Sequence, residues 1–308
     1  MIGMASSELL EISDLIVDFD IETLARQPVL RDEVIEQFQR VGDRRGARIV
    51  ADMPATGGVI DPDYVDRLLV KVHCEMQRLS EEFQHGQRVF ELLVPLLDTF
   101  AEQGIRPPYR IVDIGCGTGY VIRWLAARGV FKHEVELLGA DFNGALIQEA
   151  NRLKELEQLR CQFQVTDAFT LAEPATVYMS TGVVHHFRGN GLEQFLGQHD
   201  QPGAQAFFHF DFQPSILARP GAWLFHYLRM REPLSCHDGV ISARRSHSAT
   251  TLLSAARKTS FVSGMYCSHF WKLPIQRVFH TLLGIRHELV DTFRRSLGRR
   301  VGRLGPLK

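Results

Sequence analysis

Cysteine is scarce and scattered. Cys74, Cys116, Cys161, Cys236 and Cys267 form no C-x-x-C pair and are odd in number, which argues against a disulfide framework and a zinc ribbon. Long apolar runs are missing too, since no window approaches the roughly 18 apolar residues of a membrane span. The opening "MIGMASSELLEISD" lacks the basic start and apolar centre of a signal peptide, so a cytoplasmic protein is expected. An excess of basic charge, the footprint of a nucleic-acid binder, is absent because 35 Lys and Arg stand against 36 Asp and Glu. The histidines fall at no ligand spacing and the acids form no magnesium-type cluster, so no metal is expected. Repeats and low-complexity segments are also lacking. What remains has the composition of a globular protein with ample apolar material for a core.

Charge is uneven along the chain. Residues 1–36 hold nine acids against Arg26 and Arg31, whereas residues 286–308 hold seven basic side chains against Glu288 and Asp291. Three readings stay open for these ends: two solvated termini, ends that meet within one chain or across a homodimer, or a basic tail resting on lipid. Leu289, Phe293, Leu297 and Val301, four residues apart, speak for the lipid contact, while Gly298, Gly302 and Gly305 speak against a stable helix.

The first hundred residues read as helix. Asp61-Pro62 opens one helix as cap and first-turn proline, and "GQRVFELLVPLLDTFAEQG" forms another in which Pro95 predicts a kink. Gly104 and Pro107-Pro108 then mark a boundary, giving a helical region over 1–104 and a second domain over 105–308. From Arg110 the texture changes. "RIVDIG", "VELLGADF", "CQFQVTDAF", "TVYMST" and "AQAFFHFDF" read as strands, separated in part by helical stretches, a βαβ alternation that implies a parallel sheet covered on both faces. "FVSGMYCSHF" and "RVFHTLLGIR" are joined by "WKLPIQ", too short for a helical crossover, so they form an antiparallel hairpin. The expected fold is α/β: a Rossmann-like, mostly parallel sheet of seven strands with a reversed last strand. An insertion over about 213–258 is expected to contribute helices above the active site.

Within "RIVDIGCGTGYV", Gly115, Gly117 and Gly119 follow Asp113 at alternate positions. A Walker loop needs lysine and a hydroxyl residue after the last glycine, and neither is there. A dinucleotide turn needs glycine at position 120, where Tyr120 stands. Asp113 at the mouth of the strand would repel pyrophosphate and suits an ammonium group. Asp141 ends the next strand and can accept from both ribose hydroxyls, although a cap for the following helix is a rival role. Asp167 and Phe169 are placed to bond and stack an adenine. Ammonium, ribose and adenine without phosphate describe S-adenosylmethionine.

These segments resemble the class I S-adenosylmethionine-dependent methyltransferases over roughly residues 105–290. "VDIGCGTGYV", "LLGADFN", "QVTDAF" and "VYMSTGVVHHF" are similar to their successive motifs. The resemblance implies that Asp113, Gly115, Cys116, Gly117, Gly119, Asp141, Phe142, Asn143, Asp167, Ala168, Phe169 and Thr181 hold the cofactor. The interval from Gly119 to Asp141 is slightly long for that family.

Methyl transfer is an in-line displacement, and a hydroxyl acceptor must also lose its proton. Candidates for the base are His186, placed slightly ahead, His185 and Asp211. The alternative for the histidine pair is a structural role beside the cofactor. Arg244, Arg245 and His247 are expected to clamp a carboxylate or phosphate of the substrate, with a solvated loop as the rival reading. His85, Arg88 and Gln84 are placed to touch the substrate or the methionine carboxylate. His209, between Phe208 and Phe210, is either a substrate contact or a satisfied core histidine. Trp223, Phe225 and Tyr227 point either to an aromatic-lined pocket or to ordinary core. The expected activity is methylation of a small, largely apolar or aromatic molecule in secondary metabolism, at oxygen. The alternatives are carbon methylation of a phenolic, polyketide or isoprenoid-like acceptor, or a non-catalytic cofactor-binding protein. "STGV" where amino-methylating enzymes of nucleic acid carry "NPPY" speaks against a base acceptor.

Overall fold

The computed structural model describes residues 9–20, 22–169, 174–216, 218–267 and 278–307, so the "WKLPIQ" linker lies outside the described residues. The chain divides into two units, the described parts of Met1–Arg78 with Ser215–Arg245, and Leu79–Pro214 with Ser246–Lys308. The division falls well before residue 104. It also splits the stretch read as one insertion, because residues 246–258 group with the sheet.

The first unit is helical: α1 (Ile12–Leu15), α2 (Arg31–Arg40), α3 (Arg44–Ala51), the first part of α4 (Pro62–Glu82), α9 (Ala218–Arg229) and α10 (Pro233–Arg245). A two-residue hairpin, β1 (Ala55–Thr56) and β2 (Val59–Ile60), sits between α3 and α4. Its helix ends are closed by carboxylates that satisfy otherwise orphaned amides. Asp43 accepts from Arg45 N and Gly46 N, and Asp61 accepts from Asp63 N and Tyr64 N. Glu75 accepts from Arg231 N, Glu232 N and Ser235 Oγ at the start of α10. Asp238 does the same for α1, taking Ile12 N at 2.9 Å and Ser13 N at 2.8 Å. Two distant chain segments are thereby joined into one unit.

The second unit is built on seven strands: β3 (Tyr109–Ile114), β4 (Val135–Asp141), β5 (Gln162–Val165), β6 (Val177–Thr181), β7 (Ala206–Phe212), β8 (Val262–Tyr266) and β9 (Phe279–Ile285). Their order is β5-β4-β3-β6-β7-β9-β8, parallel except for the β7–β9 and β8–β9 pairings. The expected hairpin is therefore present, with β9 rather than β8 next to the parallel strands. Alternation divides the sheet between two cores. Tyr109, Ile111, Phe208 and Phe210 face α5 (His85–Glu102), α6 (Tyr120–Arg128), α7 (Gly144–Leu156) and α12 (Val290–Leu297). Val112, Ile114, Tyr178 and Phe207 face α8 (Asn190–Gly197) and α11 (Ala249–Ala256). Helix α5 belongs here because Val89, Leu92, Leu93, Leu96, Leu97 and Phe100 are all buried in the first of these cores.

The basic tail is part of this unit, which corrects the lipid reading. Leu289, Phe293 and Leu297 are buried in the same core as α5, and of the four only Val301 stays exposed, which is no stripe for a bilayer. Its charges meet α5 as well, through Arg295–Glu102 at 2.7 Å and Arg303–Glu91 at 3.9 Å. Pro95, inside α5, has no N–H for the Glu91 carbonyl four residues back. Arg300 Nη1 donates to that carbonyl instead. Beyond it, Cys267 N donates to Arg303 O and Gly305 N to Met265 O, so the tail covers the free edge of β8.

Candidate active site

The glycine turn follows β3 at the carboxyl edge of the sheet. Gly115, Gly117 and Gly119 all have positive φ, a region that costs residues with a Cβ about 1–2 kcal/mol. Space is the second constraint. A Cβ at Gly115 would stand 2.7 Å from Val183 Cγ2, and one at Gly119 would stand 2.3 Å from Phe163 Cε1. The amides of the turn are used internally. Gly115 N and Cys116 N donate to Ala140 O, Gly119 N donates to Cys116 O, and Gly117 N donates to Asp141 Oδ2 at 2.9 Å. Gly115 and Gly119 are thus required by backbone conformation and by close packing on Val183 and Phe163 rather than as bare donors. Cys116 lies beside Asp141 and Asp113, and burial, reinforced by those acids, pushes its thiol up.

Asp113 is 2% exposed, and its Oδ1 has no hydrogen-bond partner. Burial, and then the neighbouring Asp141, push its carboxyl up to about 8. Two buried acids side by side raise each other's cost of ionisation, which a cation beside them would relieve. Asp141 spans the turn, taking Gly117 N on one oxygen and Asn143 N on the other, both at 2.9 Å. The rival role is settled by its neighbour. Asn143 Oδ1 accepts from Ala145 N and Leu146 N, so Asn143, read above as a cofactor contact, caps α7. Phe142 stands 42% exposed beside Asp141, unusual for phenylalanine. Asp167 accepts from Phe169 N in a turn past the end of β5, so "VTDAF" is loop after its valine, and Ala168 and Phe169 are half-buried there. Thr181 ends β6, half-buried.

Past Thr181, a short 3₁₀ turn (Val184–His186) carries the histidine pair, with ring centroids 4.4 Å apart. Asp211 of β7 chooses between them. Its carboxylate lies 2.9 Å from His185 Nδ1 and also accepts from His185 N at 2.9 Å. Burial would raise the Asp211 carboxyl, but the His185 charge and hydrogen bonds override it and hold the group down to about 2. An ionised carboxylate only accepts, so His185 Nδ1 carries the proton of this bond. The direct hydrogen bond singles out His185, although His186 was placed slightly ahead, and it engages the Asp211 carboxylate.

Other expected contacts fall elsewhere. His209 lies in the core among Phe195, His199 and Phe207, with Nδ1 2.8 Å from Ser180 Oγ. Burial, then His199, keep it well below its ordinary range, so it is a neutral core histidine and not a substrate contact. Arg245 pairs with Asp14 at 2.6 Å and with Glu11 at 3.4 Å, which removes it from substrate clamping. Arg244 is exposed and lines a cavity of the first unit. Arg88 is buried and donates from Nε to Phe83 O. His85 is buried between Phe83 and Phe279, with neither nitrogen partnered, and burial followed by the Arg88 charge lowers it to about 3. Phe212 stacks on Phe279, 4.9 Å away. The sequence reading missed this aromatic group around His85, whose only signal was a phenylalanine at the end of each strand. Trp223 and Tyr227 are exposed rather than core.

Residues 111–200 match the family model described as a methyltransferase domain. No curated protein matches the chain. Among solved structures, the plantazolicin methyltransferase BpumL in complex with SAH is 14% identical, covering 83% of this chain and 99% of that one with a TM-score of 0.52. The same enzyme with SAH and a monoazolic desmethylPZN analog gives 14%, 74%, 91% and 0.52. The magnesium protoporphyrin IX methyltransferase ChlM from Synechocystis PCC 6803 with bound SAH is 15% identical, with coverages of 83% and 99% and a TM-score of 0.45. At these identities the likeness is one of fold.

Proposed function

We propose, on the premise that this chain is a class I S-adenosylmethionine-dependent methyltransferase, that it methylates a hydroxyl of a small, largely apolar or aromatic molecule with His185 as the base. The carrying observation is the buried His185–Asp211 pair at the same sheet edge as the glycine turn. The residues present fit the cofactor. Asp113 Oδ1 is an orphaned buried acceptor for an ammonium, and the positive-φ glycines let the turn fold tightly beside it. Asp141 is assigned to the ribose hydroxyls, and exposed Phe142, with Asp167, Ala168, Phe169 and Thr181, to the adenosine side. When bound, S-adenosylmethionine supplies an electrophilic methyl group on a sulfonium.

The chain's own part is alignment and proton transfer. Asp211 fixes the His185 ring and its tautomer, so that Nε2 takes the acceptor's hydroxyl proton as the oxygen attacks. The imidazolium that forms is stabilised by the adjacent carboxylate. His85, in its aromatic surroundings, is assigned to the acceptor side.

The test uses a methyl-labelled cofactor with small-molecule and protein fractions offered separately. H185A is expected to lower turnover about 100-fold or more while SAH binding by calorimetry is kept, a loss in the range of general-base removal. H186A is expected to lose less. Label confined to protein, or an H185A enzyme as fast as the parent, would refute the proposal.

A further inference from the structure

The first unit has a cavity of its own. A cavity of ≈ 610 Å³ opens among α3, α9 and α10, within the size range of sites for small organic ligands. Leu10, Val41, Val240 and Ile241 give it an apolar wall. Trp223 stands on its rim, 51% exposed, with its ring stacked on Tyr227 at 5.4 Å and 10° between the planes. The rim aromatic is therefore held flat rather than loose.

The polar lining decides what such a cavity takes. Arg45 and Arg244 both line it, and neither has a carboxylate partner among the described residues. Arg245, next in the chain, is instead taken up by two acids. The one acid in the lining, Asp43, is already engaged. Its Oδ1 accepts from Arg45 N and Gly46 N, and its Oδ2 lies 2.7 Å from His237 Nε2. It answers neither arginine, and its fixed negative charge disfavours a second close anionic charge.

We propose that this cavity binds a monocarboxylate with an apolar, ring-sized body. Arg45 and Arg244 hold the carboxylate, and the wall and Trp223 take the rest. A guanidinium fork matches a planar carboxylate through paired N–H donors. Asp43 sets the preference for a monoanion over a dianionic phosphate ester. The assignment is to the unit itself and does not rest on the reading of the sheet.

The probe is 2-naphthoate, titrated calorimetrically into the full-length protein beside its uncharged amide and 2-naphthyl phosphate. The expected result is one naphthoate site, with the amide and the phosphate ester each at least about tenfold weaker. R45Q and R244Q should each weaken naphthoate by about tenfold and leave the amide unchanged, whereas W223A should weaken both. Thermal melts near that of the parent, together with unchanged SAH binding, show that the variants are folded. Equal binding of acid and amide, insensitivity to both glutamine variants, or no binding at millimolar naphthoate overturns the proposal. A phosphate ester that binds more tightly than the acid overturns its monoanion part.

Discussion

Asp113 carries the cofactor argument, and its position was legible because strand and turn are contiguous in the chain. An acid two residues before a glycine turn stands at the strand's mouth whatever the rest of the fold does. Its protonation was not legible, because that depends on burial in the assembled sheet and then on Asp141, brought alongside by the neighbouring strand. The carboxyl is raised from 3.8 to about 8, so between those values the folded protein holds a proton that the unfolded chain releases. Stability of the ligand-free protein from this group therefore falls as pH rises through that window. A bound ammonium needs the ionised form, so SAH binding should expel a proton below pH 8. Affinity should drop toward tenfold per unit as pH is lowered from 8 to 6, and binding heats should differ between buffers of unlike ionisation enthalpy. D113N should bind about 30-fold or more weakly, with a flat pH profile. Buffer-independent heats with a pH-independent affinity in the parent would count against this account. The histidine pair shows the opposite case. Neither local pattern nor residue type separates His185 from His186, because the deciding carboxylate is 26 residues away at the end of another strand.

Helix α5 was readable from its apolar spacing, and the proline inside it predicted a break in the hydrogen-bond ladder. What the sequence could not show is how the break is mended. Arg300, far along the chain, reaches the Glu91 carbonyl that Pro95 leaves without its donor. R300A should lower stability by about 1 kcal/mol, the usual net worth of such a bond. In a P95A background, where the backbone donor is restored, the same change should cost almost nothing. Denaturant unfolding of the four proteins gives the coupling directly. Equal losses in both backgrounds would mean that Arg300 acts elsewhere. The last two strands follow the same division. Their antiparallel pairing was legible from the short linker, but the placing of β9 against β7 belongs to the assembled sheet.

At the scale of the whole chain, the first unit draws on two separated segments, and buried carboxylates tie them together. Glu75 holds the start of α10, Asp238 holds the start of α1, and Arg245 meets Asp14 and Glu11. A fragment of residues 1–104 is therefore expected to lack a cooperative melt by circular dichroism. Co-expression with residues 215–245 should restore one. A cooperative transition in the fragment alone would restore the boundary at residue 104 that the Gly104 and Pro107-Pro108 punctuation implied.

The sequence by itself determined what depends on near neighbours along the chain. These are the alternation of strands and helices, the reversed hairpin, the glycine turn with its leading acid, and hence the methyl donor those features suit. Strand and helix periods and turn geometry are local, so they can be read without knowing the fold. Tertiary structure alone decided which histidine a carboxylate orients, which arginines stand unpaired around a cavity, and where the basic tail lies. Each of those outcomes depends on side chains far apart in sequence, whose encounter is set by the packing of sheet and helices.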